Sequence, residues 1–153
     1  IARLLARESI ATAWGDLACG VAVLALFAQV GWAQLPLLVL AIAAGGTVYV
    51  AAAISFASLA FWAAGARSFA RDLTDFTLLF SSYPGSIYQG AVKVVAYSIL
   101  PAGFVVMAPV EMLREPGLKS VAVVVTAAMA YAVLAAGLFH LGFRRYRSGA
   151  SLA

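Results

Sequence analysis

An all-α fold of membrane-crossing helices is predicted by three observations. Charged residues make up only 10 % of the chain and hydrophobic residues 65 %, against about a quarter and about a half in soluble domains. Fifty consecutive residues, Leu17 to Ala66, include no Asp, Glu, Lys or Arg. Four apolar stretches are each long enough, at ~1.5 Å per residue, to cover the ~30 Å hydrocarbon core of a bilayer. The predicted architecture is a polytopic transmembrane helical bundle, a single domain over residues 1–153, with spans at about 13–32, 37–62, 91–110 and 120–143. A lead-in (1–12), an interfacial helix (67–80) and a tail (144–153) complete it.

The lead-in places Arg3 and Arg7 four residues apart, on one helical face. Its passage into apolar sequence resembles a signal peptide. However, the hydrophobicity continues past the roughly 7–15 residues of such a core, and a second long stretch follows. Trp14 and Trp32 bracket the first span as interfacial aromatics, and Asp16 falls in its first turn, where the helix dipole favours a carboxylate. Gln34-Leu35-Pro36 turns the chain into the second span. Ala43, Thr47, Ala51 and Ser55 recur every fourth residue there, and Ala128, Ala132 and Ala136 do so in the fourth span. Such stripes of small residues let another helix approach closely.

Between the second and third spans, Phe69, Leu73, Phe76 and Phe80 form one apolar helical face, with Arg67, Arg71 and Asp75 opposite. Arg71 and Asp75 are spaced as an i,i+4 pair. The pattern predicts a helix lying in the membrane interface, either as a plain connector or as a docking element.

The stretch from Tyr83 to Leu113 is the most distinctive. It opens on Tyr83-Pro84-Gly85, a turn signal, and runs apolar from Ala91 to Val110. Pro101 removes the amide that the carbonyl four residues back would need, so the span is predicted to bend near Tyr97 to Pro101. Pro109 closes it. The bend serves either as a gate or as a structural kink only.

Lys and Arg set the orientation. Four spans put Arg3, Arg7, Arg67, Arg71, Lys93, Arg144, Arg145 and Arg147 on one side, and only Arg114 and Lys119 on the other. Both ends are therefore predicted to be cytoplasmic. The same clustering at span ends explains the net charge of +4 and argues against a nucleic-acid partner.

Several chemistries lack their parts. There is one Cys, Cys19, within a span and suited to filling apolar space, and one His, His140. That leaves no set for a metal site or a Cys-His or Ser-His hydrolase. No Gly-rich loop ending in Lys-Ser or Lys-Thr is present to hold ATP phosphates. No acidic residue falls in the middle of a predicted span, where ion-driven pumps keep such groups. The expectation is a non-catalytic chain that binds no cofactor and draws its energy from elsewhere.

Tyr83-Pro84-x-x-Ile87-Tyr88, Lys93, Leu100-Pro101-Ala102-Gly103-Phe104 and Ala108-Pro109 resemble the signature region of bacterial ABC-2 type permeases. The tail Gly142-Phe143-Arg144-Arg145-Tyr146-Arg147-Ser148-Gly149-Ala150-Ser151 is similar to the closing pattern of one branch, with Ala150 where Gly is usual. The resemblance implies the last four of six spans of a permease subunit in the bacterial inner membrane. It also implies partnership with a second permease subunit, identical or not, and with cytoplasmic ABC ATPase chains that hold the ATP. Tyr83, Pro84, Pro101, Gly103 and Pro109 become candidates for lining or gating the path, and Arg3, Arg7, Arg67, Arg71 and Asp75 for docking the ATPase. Arg144, Arg145 and Arg147 become a cytoplasmic anchor, or a contact for an ATPase or anionic lipid. Two other readings stay open: a membrane scaffold without a path, and an ion-coupled carrier.

Overall fold

The computed structural model describes residues 15, 18–20, 22, 31–63, 65–84 and 88–150, the side chains of Trp32 and of 146–150 excepted. Arg3, Arg7, the side chain of Arg147 and most of the first predicted span lie outside the described residues. The chain divides into two units, 1–36 and 37–153. In the first, a 3-10 turn at Trp32–Gln34 closes with the Gln34 amide on the Gly31 carbonyl at 2.8 Å.

The described elements are all helical: α1 (Leu35–Ser58, extended by a 3-10 turn at Leu59–Phe61), α2 (Ala66–Ser81), α3 (Gly90–Ala96), a π-helical turn (Gly103–Met107), α4 (Ala108–Arg114) and α5 (Leu118–Ala150). Pro36 sits in the first turn of α1, where a missing amide costs nothing. Among the described residues two segments are long and apolar enough to cross a bilayer, Leu35–Phe61 and Leu118–Arg145. Both turn large apolar side chains outward; Val39 is 65 % exposed and Val133 71 %. A soluble core helix would bury them, whereas a lipid-facing one need not.

Most serine and threonine hydroxyls in and beside the helices are satisfied locally. Thr47, Ser55, Ser58, Thr74, Thr77, Ser81 and Ser98 each donate to the carbonyl four residues back, at 2.6–2.9 Å. Among the described residues no buried side-chain nitrogen or oxygen lacks a partner, as an apolar solvent demands.

α1 and α5 run parallel. Ala41, Ala44 and Val48 pack with Val124 and Ala128 near their starts. Near their ends the Phe61 ring lies 5.8 Å from that of Phe139 and rests on Gly142. α2 leaves the far end of α1 and runs back along it: Ala60 and Arg67, and farther up Ala53 and Asp75, border one groove. Its inward face is Ala70, Leu73 and Thr77, while Phe69 is 57 % exposed and Phe76 48 %. The helix predicted over 67–80 is present. However, it packs along a face turned about 60° from the predicted phenylalanine stripe, at 100° per residue.

The third predicted span is not one helix. Helical structure stops at Ala96 and resumes at Ala102, and the two limbs fold back on each other. Were residues 93–115 one helix, Lys93 and Glu115 would be about 33 Å apart. Instead they line a single cavity. The second limb also climbs α1 in reverse. Leu100 packs with Ala52 and Phe56, the Val105 carbonyl meets Gly45, and Met112 packs with Ala41 and Ala44. The predicted bend at Tyr97 to Pro101 is thus a reversal.

Gly45 makes the close approach possible, because a Cβ there would collide with the Val105 carbonyl oxygen, whereas one on neighbouring Gly46 would meet nothing. Gly45→Leu is expected to destabilise the fold by about 1–3 kcal/mol through overpacking, with Gly46→Leu close to neutral. Thermal unfolding in detergent checks this, and equal midpoints for the two variants would refute the close contact.

Candidate functional site

The hairpin that joins α3 to α4 is held by unusual hydrogen bonding. Pro101 has no amide for Tyr97, and the Ala102 amide bonds the Leu100 carbonyl at 2.7 Å, a tight turn around Pro101 suited to its restricted φ. The Ala102 amide is therefore lost to the Ser98 carbonyl, which accepts instead from the Tyr131 hydroxyl of α5 at 3.0 Å. Beyond it, the Ala108 amide reaches the Gly103 carbonyl five residues back, the π-helical register. Pro109 then offers no amide to Val105, whose carbonyl packs on Gly45.

Gly103 is buried under Tyr97; a Cβ there would lie 2.5 Å from that ring. Tyr97 stacks edge-on to Phe104 at 5.1 Å, and Phe104 lies 6.0 Å from Tyr131. At the entrance to the hairpin, Gly90 holds φ 54, a left-handed conformation that favours glycine. The Tyr88 hydroxyl donates to the Phe80 carbonyl, tying the entry turn to the end of α2. Burial pushes the Tyr88 phenol above its ordinary pKa.

Five residues expected at the path or gate thus lie in or beside one hairpin. Pro101, Gly103 and Pro109 shape its tip and second limb, while Tyr83 and Pro84 border a cavity at its mouth. That cavity, about 640 Å³, also receives Lys93, Tyr97, Glu111 and Arg114. Tyr131 is the residue that sequence reasoning missed; it sits 33 positions from the carbonyl it caps, and no local pattern marks it.

Arg67, Arg71 and Asp75 gather along a separate groove of about 420 Å³ between α2 and the alanines of α1. The spacing of Arg71 and Asp75 does not produce an ion pair; both are exposed along the groove. The two small-residue stripes meet in part: Thr47 and Ala51 face Ala132 and Ala136 across an apolar groove of about 470 Å³. Arg144 and Arg145 lie exposed near the end of α5. Among the described residues no three metal-ligating side chains come together.

These features define a helical membrane protein with a broken hairpin between two long apolar helices. A family model described as ABC-2 family transporter protein matches residues 3–150. The chain belongs to that family, and so is a membrane component of an ABC transporter, a class that works with ABC ATPase partners. No curated protein and no solved structure matches it significantly.

Tyr131→Phe removes one hydroxyl and leaves the Ser98 carbonyl unpartnered, at an expected cost of about 1 kcal/mol. Amide hydrogen exchange across 97–102 should quicken while that of α1 stays unchanged. Identical exchange in the variant and the parent would show that another group caps this carbonyl.

Proposed function

We propose that the chain is the transmembrane permease subunit of an ATP-driven exporter. On this reading it forms the translocation path with a second permease subunit, is powered by separate cytoplasmic ATPase chains, and binds no cofactor itself. The observation that carries the reading is the parallel course of α1 and α5. A chain that descends twice in the same direction must return between, and α2, antiparallel to α1, is the element placed to do so. Its 16 residues cover about 24 Å.

On this arrangement the hairpin is re-entrant. It enters from the side where α1 and α5 begin, reaches inward to Pro101, and leaves on the same side. Irregular backbone at membrane depth is tolerated where protein or a water-filled cavity surrounds it, which supports a role for the hairpin in lining or closing a path. Pro101 and Gly103 act there as formers of the break.

A returning α2 also carries Asp72 and Asp75 toward the bilayer on exposed positions. Charged groups at that depth face protein or water rather than lipid, so this face of α2 belongs toward the path or the second subunit. On this reading the expectation that no acidic residue falls in the middle of a span does not hold for α2. Asp72 and Asp75 are also what an ion-coupled carrier would need, and dependence on ATP separates the two readings.

The return by α2 keeps the bias of basic residues. Arg3, Arg7, Arg67, Arg71, Arg144, Arg145 and Arg147 share the proposed cytoplasmic side. Lys93 joins Arg114 and Lys119 on the other.

Two measurements test this reading. With Cys19 replaced by Ser, single cysteines at Ser82 and at Glu115 should react with an impermeant thiol reagent from the same side of the membrane. Labelling from opposite sides would restore a crossing at 91–110. Charge reversal of Arg67 and Arg71 should lower permease-stimulated ATP hydrolysis by at least about ten-fold, a loss of roughly 1.4 kcal/mol of coupling, while membrane insertion is retained. Full stimulation in that variant would exclude the start of α2 from docking, and a chain that never co-purifies with an ATPase would favour a scaffold.

A further inference from the structure

We propose that the cavity at the mouth of the hairpin binds a zwitterionic phosphate–ammonium group, the headgroup chemistry of phosphatidylethanolamine. The inference rests on α1 and α5 crossing a bilayer, and not on which solute is transported.

The cavity, about 640 Å³, brings both signs of charge together from separate limbs. Lys93 comes from α3, Glu111 and Arg114 from α4, and Glu115 from the loop that follows. None of the four forms an ion pair among the described residues. Two cations and two carboxylates facing one space leave it near neutrality. A ligand of a single sign would meet as much repulsion as attraction there, while a dipolar one can satisfy both.

The cations suit a phosphate, with the guanidinium of Arg114 able to donate in a fork. The carboxylates suit an ammonium. Tyr83 and Tyr97 also border the cavity, and an aromatic ring beside an ammonium is favourable where the cation lies over its face. Val106 and Val110 provide an apolar wall on one side, as the glycerol end of a lipid would require.

Position supports the same chemistry. Met112 packs against Ala41 and Ala44 near the start of α1, so Arg114 and Glu115 stand at the level where both long apolar helices begin. For helices that span a bilayer, that level is the headgroup layer. The charges line an open space there and are not buried in the packed core around Val48 and Met112.

The test uses the purified full-length protein in detergent, presented with equimolar dioleoyl phosphatidylethanolamine and dioleoyl phosphatidylglycerol, and native mass spectrometry to count what stays bound. One phosphatidylethanolamine per chain is expected, preferred over phosphatidylglycerol by about ten-fold. Lys93→Gln with Arg114→Gln, and separately Glu111→Gln with Glu115→Gln, should each reduce retention about ten-fold with the thermal midpoint little changed. Glycerophosphoethanolamine that competes would mean that the headgroup alone suffices; if it fails to compete while the lipid is retained, the source is the membrane lipid. Equal retention of the two lipids, or unchanged retention in either double variant, overturns the proposal. Should a double variant fail to fold, Val106→Trp fills the cavity without altering charge, and undiminished phosphatidylethanolamine binding in it would be equally decisive.

Discussion

The backbone groups that Pro101 and Pro109 leave without helical partners govern how the rest of the bundle packs. In an apolar environment an unmet carbonyl or amide costs several kcal/mol, which favours substitute partners nearby. The Ala102 amide turns to Leu100, and Tyr131 of α5 supplies the hydroxyl for Ser98. The Ala108 amide shifts to Gly103, and Gly45 of α1 makes room for the Val105 carbonyl. These solutions tie the hairpin to both long helices. The reversal is therefore a property of three elements together and could not persist in the 90–114 segment by itself.

Polarity in this molecule falls into two kinds with different consequences. Serine and threonine hydroxyls bond their own helices and are thereby removed from recognition. Charged side chains are instead directed to open space: Arg67, Arg71 and Asp75 to the groove beside α1, Lys93, Glu111 and Arg114 to the cavity beside the hairpin. Where a chain leaves charges unneutralised beside apolar surfaces, the balancing groups come from water, a partner or a ligand. Both places combine charge with room, whereas the groove between α1 and α5 is apolar, built from Thr47, Ala51, Ala132, Ala136 and Phe139.

The long helices were legible in the sequence because their cause is local: an uninterrupted apolar run is long enough or it is not. Their observed bounds, Leu35–Phe61 and Leu118–Arg145, agree closely with the predicted second and fourth spans. The site residues Pro101, Gly103 and Pro109 were also legible, since proline and glycine announce irregular backbone. What could not be read was the angle. A proline tells only that one hydrogen bond is missing; whether the chain kinks or folds back depends on Tyr131 and Gly45, at 33 and 60 positions' remove from their partners. The same limit explains α2. Its phenylalanines gave a strong amphipathic signal, but close packing on Ala52 and Phe56 of α1 selects small Ala70 for the contact, and Phe69 and Phe76 stay outside.

Counting basic residues cannot by itself separate the two courses the chain could take between α1 and α5. A crossing at 91–110 leaves eight Lys and Arg on one side and two on the other; a return by α2 leaves seven and three. Both counts favour the same orientation, because both courses cross an odd number of times and place the ends alike. The bias is blind to which segment crosses. Packing is not: Leu100, Val105 and Met112 cannot ascend α1 from Phe56 to Ala41 while Lys93 shares a cavity with Glu115 unless the chain has doubled back. A hydropathy window sees twenty apolar residues and counts a span. The contacts see two short limbs of opposite direction, and only the second description accounts for the charges gathered at their open end.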